Sequence, residues 1–290
     1  MDKITAMLKL TRVEHSIMLV VAVLAAELIA GYLPNPFILA MSIITPIFVS
    51  MGSFAINDYY DVESDRLNKR TDRPIVNGSI KRNEALWVAY SCFIIGVIAS
   101  LFINVYAFAI ALIFSTLAVL YSYKMKDMLL LGNIYIAFSM IIAFIYGNYV
   151  VADKINISIL LIGITIFLAG LAREIHGMIR DYIGDAKTRK TRNLIFHIGA
   201  KKSSELAFVL YIEAIAISIY MFFFTAPFAY NLVYIVFIAA ADAALAWIAA
   251  GFILQKKSRR FFNISRNVSL AAMAVALLSF LLSSIFYIHI

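Results

Sequence analysis

The 290-residue sequence predicts an all-α, multi-pass membrane protein with about nine transmembrane helices. Three observations support this prediction: the composition, the lengths of the apolar runs and the positions of the basic residues. Apolar residues make up 63% of the chain and charged residues only 14%, whereas soluble domains contain about half and a quarter respectively. A soluble protein of this size could not bury so much apolar surface. We therefore expect the chain to lie in a bilayer.

The apolar runs set the number of predicted spans. A helix needs about 20 mostly apolar residues to cross the ~30 Å hydrocarbon core, and nine stretches approach or reach this length. They are residues 16–33, 37–57, 84–103, 105–123, 129–151, 156–175, 204–225, 228–253 and 268–288. The connections between them leave no room for a soluble domain, so we interpret residues 1–290 as one transmembrane domain.

The basic residues support both the count and an orientation. If the nine spans alternate, all 25 lysines and arginines except Lys154 fall on one side of the membrane. By the positive-inside rule this side is cytoplasmic, and it includes the N-terminus and two long polar segments, residues 57–83 and 173–203. The net charge of +8 then reflects topology, and we expect no nucleic-acid partner. The single cysteine, Cys92, excludes a disulfide framework and a cysteine-based metal site.

The first polar segment begins with acidic residues at a regular spacing. If the helix of the second span continues into it, Asn57, Asp61 and Asp65 lie four residues apart on one face. Two carboxylates at that spacing repel each other. A bound Mg²⁺ would offset the repulsion, because Mg²⁺ prefers oxygen ligands and is commonly held by one or two carboxylates together with substrate phosphates.

The second polar segment repeats this pattern with Asp181 and Asp185. Basic residues follow both acidic clusters. They are Arg66, Lys69, Arg70 and Arg73 in the first segment, and Lys187, Arg189, Lys190 and Arg192 in the second. Carboxylates that hold a metal, next to cations that neutralise phosphate, are what a Mg²⁺–diphosphate complex requires. Each cluster alone could be a solvated loop with surface ion pairs, but two matched clusters on one face favour a binding site.

The first segment, NDYYDVESDRLNKRTDRP, resembles the asparagine/aspartate-rich motif of the UbiA superfamily of intramembrane prenyltransferases. Asp181 and Asp185 resemble the second acidic motif of that family. The resemblance implies nine helices around a central cavity that is capped by the cytoplasmic loops. It also implies Mg²⁺-dependent transfer of a prenyl group from a prenyl diphosphate, in contact with membrane lipids.

The resemblance further implies roles for individual residues. The metal ligands would be Asn57, Asp61, Asp65, Asp181 and Asp185, and the four aspartates would be catalytic. Leu10-Thr11-Arg12 resembles the basic start of the family's first helix, and Tyr121, Lys124 and Lys126 resemble the stretch after its fourth. The substrate-binding residues would be Arg12, Arg66, Arg70, Arg73, Tyr121, Lys124, Lys126 and Lys190.

Two further stretches bear on the acceptor. Leu131-Gly132-Asn133 and residues 171–175 resemble the archaeal ether-lipid branch of the superfamily, which implies geranylgeranyl diphosphate as donor and 3-O-geranylgeranylglyceryl phosphate as acceptor. Lys124 and Lys126 would then bind the acceptor phosphate, or serve only as topological anchors. Met178 stands where that branch often carries an acid, and residues 76–77 also depart from its pattern.

Other functions stay open at this stage. An aromatic acceptor, as in quinone biosynthesis, would use the same motifs. An ion-coupled transporter would place its acids near the middle of the membrane, whereas the acidic clusters here lie at the inner interface. Glu27, Glu213 and Asp242 lie inside predicted spans but belong to neither motif. His176 lies near the second acidic cluster, and we expect it to be a polar residue with a partner rather than a ligand.

Overall fold

The computed structural model describes residues 2–128, 130–184, 194–254 and 259–288. Over these residues the regular structure is helical, with no strand, which confirms the all-α prediction. The helices are α1 (Lys3–Thr11), α2 (Val13–Ala30), α3 (Pro36–Leu67), α4 (Arg82–Leu101), α5 (Val105–Tyr123), α6 (Leu131–Val151), α7 (Ile157–Gly184), α8 (Leu194–Phe224), α9 (Leu232–Ile253) and α10 (Arg259–Ile288), with a 3₁₀ turn at Met125–Asp127.

The described residues contain nine helices that are long and apolar enough to cross a membrane, namely α2 to α10. This confirms the predicted number of spans. Helix α1 is instead short and lies against the body of the protein by one face. Ala6 and Leu10 are fully buried on that face, whereas Ile4 and Leu8 are exposed on the other.

Several helices extend beyond the predicted spans. Helix α3 has 32 residues and is therefore about 48 Å long, and α7 has 28 residues, or about 42 Å. Both exceed the ~30 Å hydrocarbon core. Residues 173–203, predicted as a long polar connection between spans, are helical up to Gly184 and again from Leu194. The reason is that hydropathy marks where the membrane ends, whereas a helix continues until its backbone is capped.

Contacts between residues divide the chain into two compact units. The first comprises residues 1–27, 31–126 and 146–154. Within it, α3 packs against α1, α4 and α5. Glycines permit the close approach of α3 and α4: a Cβ atom at Gly52 would lie 2.8 Å from the Phe93 ring, and one at Gly96 would lie 3.0 Å from the Thr45 carbonyl oxygen.

The second unit comprises residues 28–30, 127–145 and 155–290. Helix α7 packs against α8 and α10, and α9 packs against α8 and α10. The buried core of this unit includes Ala172, Ile175, Ile195, Tyr211 and Ile248. Gly199 has a left-handed backbone conformation (φ 79°) that kinks α8 near its start. The single domain over residues 1–290 and the central cavity stay predictions.

Candidate active site

The extended end of α3 carries the first acidic motif on continuous helix. Counting about 20 residues from Pro36 places the edge of the hydrocarbon core near residue 56, so the motif begins where the membrane ends. The Asn57 side-chain amide donates a hydrogen bond to Asp61 Oδ2 at 2.8 Å. The predicted four-residue register of Asn57, Asp61 and Asp65 along one helix face is therefore realised in the structure.

The carboxylates of α3 each lie against a cation. Lys126, in the 3₁₀ turn after α5, forms an ion pair with Asp61 Oδ1. Arg73 Nε lies 3.6 Å from Asp65 Oδ2. Both acidic side chains are only partly exposed, at 29% and 13%. Three segments that are distant in sequence therefore meet at one partly buried site.

Asp58 is a site residue that the spacing argument missed. Its side chain is 2% exposed, and it pairs with Arg12 at 2.7 Å and with Arg73 at 3.2 Å. A buried carboxylate that holds two guanidinium groups fixes the position of both, because removing it would leave them as uncompensated charges. Asp58 therefore positions two of the predicted substrate-binding arginines.

Arg12 occupies a left-handed turn (φ 47°, ψ 50°) between α1 and α2. This conformation is unfavourable for a residue with a side chain. It ends α1 and allows the guanidinium to reach Asp58, while the same group lies 4.5 Å above the Phe54 ring. Burial lowers the pKa of Arg12, and the Asp58 carboxylate opposes this shift.

The loop between α3 and α4 holds Arg73 in place. Ile75 and Ile80 are buried in the same apolar cluster as Ala55 and Val62 of α3, which fixes the loop against the helix. Pro74 lies between Arg73 and this apolar anchor, and its carbonyl accepts a hydrogen bond from the backbone N–H of Ile80 at 3.1 Å. The apolar residues of the loop thus determine where its arginine points.

The remaining predicted cations of this unit lie farther out. Arg66 pairs with Glu63 at 3.2 Å and is 57% exposed. Arg70 pairs with Asp72 at 3.1 Å, and its hydrogen bonds hold the pKa of Asp72 below its usual range. Lys124 is exposed at the end of α5, and Tyr121 is half-buried. These four residues stay candidates for substrate contact.

The residues on α3 fit a hard divalent cation by their chemistry. Asn57, Asp61 and Asp65 offer an amide oxygen and two carboxylates at the membrane edge, a donor set suited to Mg²⁺. Among the described residues, no three acidic, histidine or cysteine side chains are gathered closely enough to hold a metal. The carboxylates are instead neutralised by Lys126 and Arg73, so metal binding requires at least Lys126 to leave Asp61.

The second acidic motif follows α7. Asp181 belongs to the helical backbone of α7, while Asp185 and Lys190 lie outside the described residues. Just before the motif, Asn133 of α6 donates to Glu174 Oε2 at 3.3 Å, and Arg173 Nη1 lies 3.8 Å from Glu174 Oε1. The two stretches that resemble the archaeal ether-lipid branch therefore meet side by side.

His176 departs from its prediction. It is 3% exposed, its ring packs edge-on against Phe252 at a centroid distance of 4.5 Å, and its Nε2 atom has no hydrogen-bond partner. For this nitrogen the expected polar partner is absent among the described residues. Sequence periodicity could not reveal this, because the partner of a histidine depends on side chains from other helices.

The chain was compared with known proteins. A family model described as the UbiA prenyltransferase family matches residues 18–271. A digeranylgeranylglyceryl phosphate synthase of Archaeoglobus fulgidus is 34% identical over 278 residues, which cover 93% of this chain and 92% of the relative. One from Methanosphaera stadtmanae is 28% identical and covers 96% of this chain and 98% of its own.

Two solved structures of related proteins are similar in fold to this chain. One described as digeranylgeranylglyceryl phosphate synthase in membranes has a TM-score of 0.81 at 26% identity and covers 99% of this chain and 100% of its own. A UbiA homolog from Archaeoglobus fulgidus bound to GPP and Mg²⁺ has a TM-score of 0.71 at 19% identity, covers 98% and 100%, and shares the fold. The extent of the family match and the 34% identity together establish that this chain is an integral membrane protein of the UbiA prenyltransferase family.

Proposed function

We propose that this protein transfers a geranylgeranyl group from geranylgeranyl diphosphate to 3-O-geranylgeranylglyceryl phosphate, with Mg²⁺, at the cytoplasmic face of the membrane. The observation that carries the proposal is the α3 site, where carboxylates and cations meet at the membrane edge. The names of the relatives at 34% and 28% identity support the acceptor. The solved UbiA homolog with GPP and Mg²⁺ supports the class of donor and the metal.

The reaction breaks the bond between C1 of the prenyl chain and the diphosphate oxygen. The diphosphate leaves with the electron pair, the acceptor hydroxyl oxygen forms an ether bond to C1, and the hydroxyl proton is released. Bound Mg²⁺ would neutralise charge on the leaving diphosphate, held by Asn57, Asp61 and Asp65 together with Asp181 and Asp185. These groups stabilise charge where it develops, which is usually the largest catalytic contribution.

The basic residues of the described site have separate tasks. Arg12 and Arg73 are fixed on Asp58 and present their remaining N–H groups to the substrate side. Within the described parts of the chain, the one ion pair of Lys126 is with Asp61, so its ammonium can pass from Asp61 to a phosphate oxygen when the donor binds. Apolar walls formed by the membrane helices would keep water from the allylic centre while C1 is electron-deficient.

A direct test uses purified protein in nanodiscs with labelled geranylgeranyl diphosphate. We expect a labelled diether phosphate with 3-O-geranylgeranylglyceryl phosphate as acceptor, no product in EDTA and recovery with Mg²⁺. Asp61→Asn should reduce turnover at least ~100-fold, since one lost charge-assisted metal contact costs several kcal/mol. Full turnover in EDTA would refute the metal assignment, and preference for a hydroxybenzoate over the lipid would move the acceptor to the aromatic class.

A further inference from the structure

A polar cluster lies inside the membrane-facing part of α7, one turn before the second acidic motif. Counting about 20 residues from Ile157 places the edge of the hydrocarbon core near Gly177. Arg173 and His176 therefore lie within about 6 Å of that edge, on the membrane side. Ionisable residues at such positions are costly and mark functional or paired sites.

Three hydrogen-bonding atoms of this cluster have no partner. They are Arg173 Nε, His176 Nε2 and the Tyr211 hydroxyl, judged against the residues that the structure describes. Tyr211 is fully buried and His176 is 3% exposed, so bulk water has little access to hydrogen-bond with them. Buried polar atoms are nearly always bonded to something. A group of unpartnered ones indicates a missing ligand.

The three side chains belong to one region of the structure. Arg173 and His176 lie three residues apart on α7 and share a helix face, and Tyr211 of α8 belongs to the same buried cluster as Ala172 and Ile175 on either side of Arg173. Arg173 Nη1 lies 3.8 Å from Glu174 Oε1. The Asn133 side-chain amide donates a hydrogen bond to Glu174 Oε2 at 3.3 Å, and this contact helps to hold Glu174 in place. Beside them, a Cβ atom built on Gly177 meets nothing within 4 Å, which leaves open space one turn from Arg173.

The unpartnered atoms select the chemistry of the ligand. A guanidinium N–H and a tyrosine hydroxyl both donate, and the histidine nitrogen donates in one of its neutral tautomers and when charged. Three groups that can all donate suit an anion with several oxygens, and arginine matches phosphate geometry especially well. The one described carboxylate of the cluster, Glu174, is already engaged by Asn133.

We propose that Arg173, His176 and Tyr211 form the subsite that binds the phosphate of the acceptor lipid. This inference rests on the proposed function, since it takes the acceptor to be a phosphorylated prenyl glycerol. A phosphate monoester needs only such donors, whereas the donor diphosphate also needs a metal and its carboxylate ligands. The location just inside the membrane edge suits a lipid whose chain lies in the bilayer and whose headgroup lies at the interface.

The test measures binding without catalysis. Wild-type protein in nanodiscs is titrated with labelled 3-O-geranylgeranylglyceryl phosphate and with the unphosphorylated 3-O-geranylgeranylglycerol, without metal or donor. We expect Tyr211→Phe and Arg173→Gln each to weaken binding of the phosphorylated lipid roughly ten- to a hundredfold, as expected for a lost charge-assisted hydrogen bond. Binding of the unphosphorylated lipid should not change.

Two further variants sharpen the test. Tyr146→Phe also removes a buried hydroxyl without a partner, but in the other unit, and it should leave both affinities unchanged. Arg173→Lys is the alternative if Arg173→Gln does not fold. It keeps the positive charge but cannot make the bidentate contact of a guanidinium with phosphate, so the loss of affinity should be intermediate. Unchanged preference for the phosphorylated lipid in the Tyr211 and Arg173 variants would overturn the proposal.

A donor titration separates the remaining outcomes. If these variants weaken geranylgeranyl diphosphate in the presence of Mg²⁺ and spare the phosphorylated acceptor, the subsite binds the donor and the proposal is wrong. If the phosphorylated lipid binds through Arg173 and Tyr211 but is never prenylated, the proposed function fails while the subsite stands. If prenylation proceeds and the variants bind the acceptor normally, the function stands and the subsite fails.

Discussion

At the scale of single residues, the ion pair between Lys126 and Asp61 joins metal binding to substrate binding. The Lys126 ammonium neutralises Asp61, a predicted metal ligand, while no metal ion is bound. This ammonium would have to leave Asp61 when Mg²⁺ binds. The displaced ammonium would then lie close to a metal-bound diphosphate, where lysine acts as a point charge on phosphate. We therefore propose that Lys126 contacts the donor rather than the acceptor.

Lys126→Met tests that assignment, with Lys124→Met as a matched control two residues away. Lys126→Met should raise the KM for geranylgeranyl diphosphate roughly ten- to a hundredfold, since a charge-assisted contact contributes about 1.5–3 kcal/mol. The KM for the acceptor should not change. Lys124 is exposed; as a topological anchor it should give a variant that behaves like wild type, whereas a higher acceptor KM would assign it to substrate binding. Steady-state kinetics with each substrate varied in turn would decide, and a rise in the acceptor KM alone would restore the earlier expectation.

Spacing predicted the acidic face of α3 but not its partners. Residues four apart on a helix share a face whatever surrounds them, so the register of Asn57, Asp61 and Asp65 could be deduced. Asp58 points about 100° away from Asn57 around the helix and meets Arg12 of a different element. Such a pair depends on how α1 and α3 pack, which no local pattern encodes.

At the scale of elements, asparagine caps begin four of the membrane helices. Asn35, Asn104, Asn156 and Asn231 each accept a hydrogen bond from a backbone N–H in the first turn of α3, α5, α7 and α9. With alternating spans, all four helices begin on the side that carries only Lys154. Short turns connect the helices on that side, and asparagine is among the residues best suited to start a helix.

Asn104 does more than cap a helix, and this gives a prediction. Its Oδ1 accepts from Ala107 N at 2.8 Å, and its Nδ2 donates to the Tyr149 carbonyl at 2.7 Å, which ties α5 to α6. Asn104→Ala should cost ~2 kcal/mol, about one for the cap and about one for the tie. Asn35→Ala, which loses a cap alone, should cost ~1 kcal/mol. Thermal unfolding in detergent should show the larger drop for Asn104→Ala; equal drops would remove the role of the Tyr149 contact.

Helix ends were the least predictable feature of the elements. Hydropathy falls at Asn57 and at Arg173, yet α3 continues to Leu67 and α7 to Gly184. Both extensions consist of residues that tolerate a helix, and they gain support from packing: Val62 of α3 and Ile179 of α7 are almost fully buried. The few buried residues on each extension, among them Asp58 and His176, carry little periodic hydrophobic signal, so hydropathy alone ended the spans before these stretches.

At the scale of the whole molecule, the distribution of charge proposes an orientation. The cytoplasmic side would receive every lysine and arginine except Lys154, together with the α3 site. A substrate made in the cytoplasm would then reach carboxylates and cations at the inner membrane edge without crossing the bilayer. The orientation also requires that α3, α5, α7 and α9 run inward from their asparagine caps.

Cysteine labelling in sealed right-side-out vesicles tests this orientation. Asn77 lies in the exposed part of the loop after α3, and Asp153 lies in the exposed turn between α6 and α7. Cys92 is buried and is replaced by alanine, so each introduced cysteine is the only thiol. Asp153→Cys should react with a membrane-impermeant maleimide in intact vesicles, because its side faces out. Asn77→Cys should react only after permeabilisation, because the positive-inside rule places its loop in the cytoplasm.

Reaction of Asn77→Cys in intact vesicles would invert the orientation and move the α3 site to the outer face. If both positions reacted from the same side, the chain would cross the membrane an even number of times between residues 77 and 153. The three helices α4, α5 and α6 between them predict an odd number of crossings.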